Sequence, residues 1–229
     1  MSRALKALAA LLEYPSADLQ LHIGEVREAV AGLPQAARAK LEPLLIALAH
    51  EDLLDLQCAY SDLFDRSRAL SLHLFEHVHG DNRERGQAMI DLTEQYTRAG
   101  FLLDSNDLPD FVPVFLEFAA HLDDKEASEL LGQPAHVFAA LAERLDKRGS
   151  AYAGVFHAVL AVARVRPDKE DVAGVGEITP EEDPPQIDQE WEEAPVTFMA
   201  SAAHEMGGPT GVVARIRASN RPIDRETAK

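Results

Sequence analysis

The sequence predicts an all-α protein. Residues 1–167 read as one bundle-like domain of about nine helices, and residues 168–229 as a disordered, acidic and proline-rich tail. Three observations carry this. Ala and Leu supply 57 of the first 167 residues while Val, Ile and Thr together supply 15, which favours helix over strand. Apolar residues recur at helical spacing between capping and stop signals. From Asp168 to Glu193, eleven acids stand against one base among several prolines, a stretch that cannot pack a core.

The helices follow in order. Ser2 can cap a first helix to about Tyr14, with Leu5, Leu8 and Leu12 on one face and Pro15 as its stop. Ser16 caps a second, running to about Val30 before Gly32. Pro34 suits the start of a third, which carries Leu41, Leu44, Leu45 and Leu48. A fourth covers about Asp52 to Asp65, a fifth about Leu70 to His79, and a sixth about Asn82 to Ala99, closed by Gly100. Next come Phe111–Leu122, a short helix ending before Gly132, Pro134–Arg148 before Gly149, and Ser150–Val165. Connections are short, so consecutive helices are expected to be neighbours.

Composition excludes several functions. The formal charge of −17 argues against nucleic acid or an anionic membrane surface as partner. No apolar run approaches the roughly 20 residues that span a bilayer. The N-terminal stretch lacks a small-x-small cleavage site and reads as an amphipathic helix rather than a signal peptide. The lone cysteine, Cys58, excludes an intrachain disulfide and a cysteine metal cluster, and its helical neighbours Leu54, Leu56 and Leu63 suggest a buried, inert thiol. A reducing compartment, the cytoplasm, follows as the expectation.

Two segments depart from the ordinary helical pattern. In Leu70–His79, a continuous helix would place Leu70, Leu74, Phe75 and Val78 on a broad apolar face and His73, Glu76 and His77 on a narrow polar one. In Asp107–Leu122, Asp110 reads as the N-cap, and the helix beyond it is apolar nearly all round. Only Glu117 and His121 interrupt it, on a stripe shared with Asp110. Such a stripe on a central helix needs partners: salt bridges to Arg66, Arg68 or Arg85, or a basic ligand.

His73-Leu-Phe-Glu-His77 also fits the H-x-x-E-H pattern, in which two histidines one turn apart reach a zinc and the glutamate serves as base. A zinc-dependent hydrolase is therefore an alternative function, although no third ligand stands out. A molybdopterin carrier is another, with Arg66, Arg68, Arg83 and Arg85 as the clustered cations its phosphates would need. No phosphate-cradling glycine loop, G-x-S-x-G or basic helix-turn-helix is present. No metal-ligand set and no catalytic residue is assigned.

The stretch from Tyr60 to Met89, above all SLHLFEHVHG followed by RGQAM, resembles the NarJ family, as do DLPDFVPVFLEF and the opening LLEYPS. That family comprises the assembly chaperones, or delta subunits, of respiratory nitrate reductase, within the wider TorD-like class. The resemblance spans residues 3–166. It implies an all-helical fold with no enzymatic activity. It implies a partner, the catalytic (alpha) subunit, bound through its N-terminal segment in the cytoplasm. It also implies that no cofactor is held permanently, while bis-molybdopterin guanine dinucleotide and an iron–sulfur cluster are inserted into that partner.

The expected binding mode is an amphipathic helix laid in a groove. Tyr60, Leu63, Phe64, Leu72, Phe75, Phe111 and Phe115 would meet its apolar face, and Asp110, Glu117 and Glu76 its basic residues. His73 and His77 would tune affinity with pH.

Overall fold

The computed structural model describes residues 1–79, 84–103 and 107–175. Among these there are twelve α-helices and one 3-10 turn, with no strand longer than a single bridge. The helices are α1 (Ser2–Leu12), α2 (Ala17–Leu21), α3 (Ile23–Ala29), α4 (Gln35–His50), α5 (Leu53–Phe64), α6 (Leu74–His79), α7 (Glu84–Arg98), α8 (Val112–His121), α9 (Asp124–Gly132), α10 (Ala135–Lys147), α11 (Ala153–Ala163) and α12 (Lys169–Gly174). The all-α expectation holds.

Most boundaries follow the local signals. Ser16 accepts from the Leu19 amide at 3.1 Å and Asp52 from the Leu54 amide at 2.9 Å. Gly100 closes the turn after α7 with φ of 78°, which a side chain would strain.

Three expectations about the elements change. The helix foreseen from Ser16 to Val30 breaks at His22, whose Nδ1 and backbone N–H both bond the Asp18 carbonyl. The helix foreseen from Leu70 to His79 survives only in its second half: Arg68–Leu70 is a 3-10 turn and α6 begins at Leu74. Finally, the helical body continues past Pro167. Residues 169–174 form α12 against α10, and Val175 is buried. The tail expected beyond it, from residue 176 on, lies outside the described residues, as do Asn82 at the start of the sixth expected helix and Arg83.

The core is assembled from helices distant in sequence. α1 packs along α8 and α4 along α11, while α10 and α11 do pair as an antiparallel hairpin. Leu5, Leu8, Leu11 and Leu12 of α1 are fully buried, the face its periodicity marks. α8 buries every residue from Val112 to Ala120 except Glu117, as an all-round apolar helix should. α11 is a second central helix, burying Val155, Phe156, Ala158, Val159, Val162 and Ala163. The short connections do not make all consecutive helices neighbours, because α1 and α4 find larger apolar faces elsewhere.

Gly154 sets how close α4 and α11 come. A Cβ there would lie 2.1 Å from the Lys40 carbonyl oxygen, a backbone atom that cannot swing aside. Gly154→Ala is expected to cost roughly 1–3 kcal/mol in chemical denaturation through overpacking. A change below about 0.5 kcal/mol would show that this crossing is slack.

Candidate functional site

The polar residues singled out in the sequence meet where α6 and α8 begin. Asp110 is fully buried and lies just before α8, yet its side chain does not cap that helix; Phe111 occupies the N-cap position there without a side-chain bond. Instead Asp110 Oδ2 accepts from the Phe75 amide at 3.1 Å and its backbone oxygen from the Leu74 amide at 3.0 Å. Oδ1 takes the Nδ1–H of His73 at 3.2 Å. Asp110 thus caps α6, not α8, and this explains the truncated helix. The free amide of Phe75 is satisfied by the carboxylate and that of Leu74 by the backbone carbonyl of the same residue, so the chain from Ser71 to His73 is extended rather than helical. There His73 bridges Phe111, and the Val112 amide donates to the Leu72 carbonyl at 2.8 Å. Tyr96 Oη donates to the Pro109 carbonyl at 2.7 Å and pins the same corner to α7.

This geometry removes the shared face on which the zinc reading rests. His73 precedes α6 and is bonded to Asp110, while His77 within α6 donates Nε2–H to the Ser71 carbonyl at 2.8 Å. Glu76 accepts from Arg85 at 3.3 Å. Among the described residues no group of three or more His, Cys, Asp and Glu side chains is arranged to hold a metal ion. Of the cations suggested for a molybdopterin carrier, Arg66 pairs with Asp62 at 3.1 Å and Arg85 with Glu76, and Arg83 lies outside the described residues.

The remaining expected site residues divide. Phe75, Phe111, His73 and Glu76 are partly exposed around the α6–α8 junction, and Leu63 is partly exposed on α5. Leu72 and Phe115 are core, and so are Tyr60 and Phe64, which form an aromatic cluster with Tyr14 and Tyr152 at centroid distances of 4.8–5.9 Å. Tyr60 Oη donates to the Leu12 carbonyl at 2.7 Å and locks α5 onto the end of α1. These four buried residues offer no surface to a ligand in this conformation. Cys58, expected to be buried, is exposed, because α5 turns Leu56, Tyr60 and Phe64 inward and leaves Leu54 and Cys58 outside.

Glu117 is exposed, whereas Asp110 on the same stripe is buried. The neighbours of Glu117 were not visible in the sequence. Glu13, at the end of α1, has its carboxyl pushed above the usual carboxylate range by partial burial first, then by the charges of Glu117 and Asp107. Three acids from three segments therefore share one surface beside Tyr14, which is half exposed.

Comparison with known proteins decides the family. Residues 30–158 match the profile of the nitrate reductase delta subunit family. The chain belongs to this family. It is 44% identical over 194 residues to the nitrate reductase molybdenum cofactor assembly chaperone NarJ of Escherichia coli K12, covering 83% of this chain and 82% of that one. It is 36% identical over 200 residues to NarW of the same strain, a candidate chaperone of the same description, covering 87% and 85%. The crystal structure of a candidate redox enzyme maturation protein from Archaeoglobus fulgidus shares the fold, with a TM-score of 0.51 at 22% identity over 72% of this chain and 92% of that one. The delta-subunit family's match begins just after α3 and ends within α11, so it contains the whole α6–α8 junction.

Two variants test the junction. Asp110→Ala should cost roughly 2–4 kcal/mol, because it leaves the Phe75 amide and His73 without their acceptor, while the Leu74 amide keeps the residue-110 carbonyl. Loss of amide protection confined to α6 and residues 71–73 would identify the cap; unchanged stability would refute it. His77 is neutral, its pKa lowered chiefly by burial. With the folded value below the unfolded one, its contribution is complete above about pH 6.5 and is lost as pH falls towards the folded value. His77→Gln, which can still donate to Ser71, should flatten the fall in stability between about pH 7 and 5. An unaltered pH profile would show that other groups cause that fall.

Proposed function

We propose that this chain is a molybdenum cofactor assembly chaperone of a respiratory nitrate reductase and acts by binding rather than catalysis. The observation that carries this is the 44% identity to NarJ over more than four-fifths of both chains. The target is the catalytic subunit, captured through its N-terminal segment in the cytoplasm and held open to bis-molybdopterin guanine dinucleotide and an iron–sulfur cluster. No helix among the described residues is long and apolar enough to cross a membrane, in keeping with a role apart from the finished enzyme.

The target segment docks as an amphipathic helix whose apolar side meets Leu63, Phe75 and Phe111, the half-buried members of the expected set. Its basic residues face Glu117, joined by Glu13 and Asp107. Asp110 and His77 act behind this surface: the first fixes the α6 start and the second lies buried, so neither touches the peptide. His73, one-third exposed and bonded to Asp110, is the histidine placed to sense it.

Calorimetry with a peptide from the first 15 or so residues of the catalytic subunit tests the proposal. Micromolar or tighter binding is expected. Glu117→Gln and Glu13→Gln should each weaken it several-fold at low salt and reduce its salt sensitivity. Glu13→Gln should also stabilise the free chain at neutral pH. A carboxyl whose folded pKa is raised favours folding only in its protonated form, and that contribution disappears as pH rises through the folded value. Unchanged affinity in both variants would remove the electrostatic part of the mode, and no binding at all would remove the peptide as ligand.

A further inference from the structure

α12 is attached to the body in an unusual way. It has six residues, none of them buried, and it is held mainly through Val172, which is partly buried, and Val175 just beyond it. Between α12 and the α6–α10 face lies a cavity of about 520 Å³, lined by His77, Val78, His136, Glu170, Asp171, Gly174 and Val175. The pocket is open to solvent, so on this side α12 has water where a buried helix has packed side chains. Arg144 of α10 supplies a polar tether: it donates to the Val175 carbonyl at 2.8 Å and, through its other nitrogen, to the Ala69 carbonyl at 2.8 Å. One side chain therefore clips the end of α12 to the 3-10 turn that leads into α6.

Beneath α12, His77 is more than nine-tenths buried, and its Nδ1 has no partner. Its surroundings are charged on every side. Arg144 faces it from α10 and His136 lines the same cavity from that helix. Glu76 stands on its own helix, Asp110 at the α8 corner, and Glu170 and Asp171 belong to α12. A bare, buried imidazole nitrogen would gain hydration as soon as the cover left.

We propose that residues 169–175 form a strap that undocks as a unit from an otherwise folded body, and that the docked strap withholds the face made by His77, Val78 and His136. Few buried contacts and the open pocket beside it place α12 at the low-stability end of the fold. The body needs nothing from it, since the α1–α8 and α4–α11 pairings lie elsewhere. Val78, half exposed even with the strap in place, marks the edge of the face that undocking would uncover.

Hydrogen exchange of the full chain, with His77 followed by NMR titration, tests this. In the wild type, amides of residues 169–175 should exchange at least ~100-fold faster than those of the middle of α10, through an opening that leaves α10 protected. Val175→Ser removes the apolar anchor without adding charge, and Arg144→Gln removes the clip. Each should speed exchange across residues 169–175 at least ~10-fold further; Val175→Ser, which leaves the Arg144 charge in place, should also move the His77 titration up towards its ordinary range while the melting temperature shifts by less than ~2 °C. If α12 and α10 exchange together, or Val175→Ser lowers the melting temperature as much as a core truncation, α12 is part of the cooperative fold and the strap is refuted. If residues 169–175 loosen while His77 titrates as before, the strap does not cover that face, and the proposal fails on its second half.

Discussion

A single buried carboxylate sets the architecture of the α6–α8 junction. Asp110 is sealed from solvent and spends both oxygens on groups from a segment 35 to 37 residues earlier. An uncompensated charge in that position would be strongly unfavourable, so the carboxylate and its donors must be placed together or not at all. That requirement sets where α6 starts, holds Ser71–His73 extended, and brings Phe75 and Phe111 to the same surface. Tyr96 adds a second clamp on the corner through the Pro109 carbonyl, and its ring packs on Phe101 and Phe118 of the core. The candidate binding surface is thus tied to the central helix α8 by hydrogen bonds whose loss would be felt in both.

Much of the fold could be read from local pattern. The α1 face and the all-round apolar α8 follow from periodicity, and the caps at Ser16 and Asp52 from their residue types. What escaped depends on partners remote in sequence. Nothing within Leu70–His79 reveals that a carboxylate from residue 110 will terminate its helix early. The wheel drawn over that segment therefore put His73 beside His77, when one lies before α6 and the other within it. Glu13 looked like an ordinary residue at a helix end, and only the approach of Glu117 and Asp107 makes it distinctive. Cys58 was misplaced because α5 is narrow in its burial, with only three of its residues turned fully inward.

The two kinds of polar group around the junction have different work. Asp110 and Tyr96 are satisfied by hydrogen bonds and hold geometry. The charges of Glu117 and Asp107 act against ionisation of Glu13 in the free chain, a local cost that a cationic partner would relieve. In the proposed binding mode such a surface suits capture and later release, because the attraction is large at contact and weakens within a Debye length. The surrounding apolar residues are only half buried, which limits how firmly any occupant is retained.

The pairing of α1 with α8 also bears on how the chain is made. α1 ends at Leu12 and α8 starts at Val112, about a hundred residues later along the growing polypeptide. At roughly 5–20 residues per second, the leucines of α1 emerge from the ribosome on the order of 5–20 s before the helix that will cover them. Over that interval this apolar stripe has α3 and Tyr60 of α5 against it but lacks its main cover, and the loop that finally brings α1 and α8 together is among the longest in the fold. A protein whose family serves the maturation of another nascent enzyme therefore passes through a vulnerable stage of its own during synthesis.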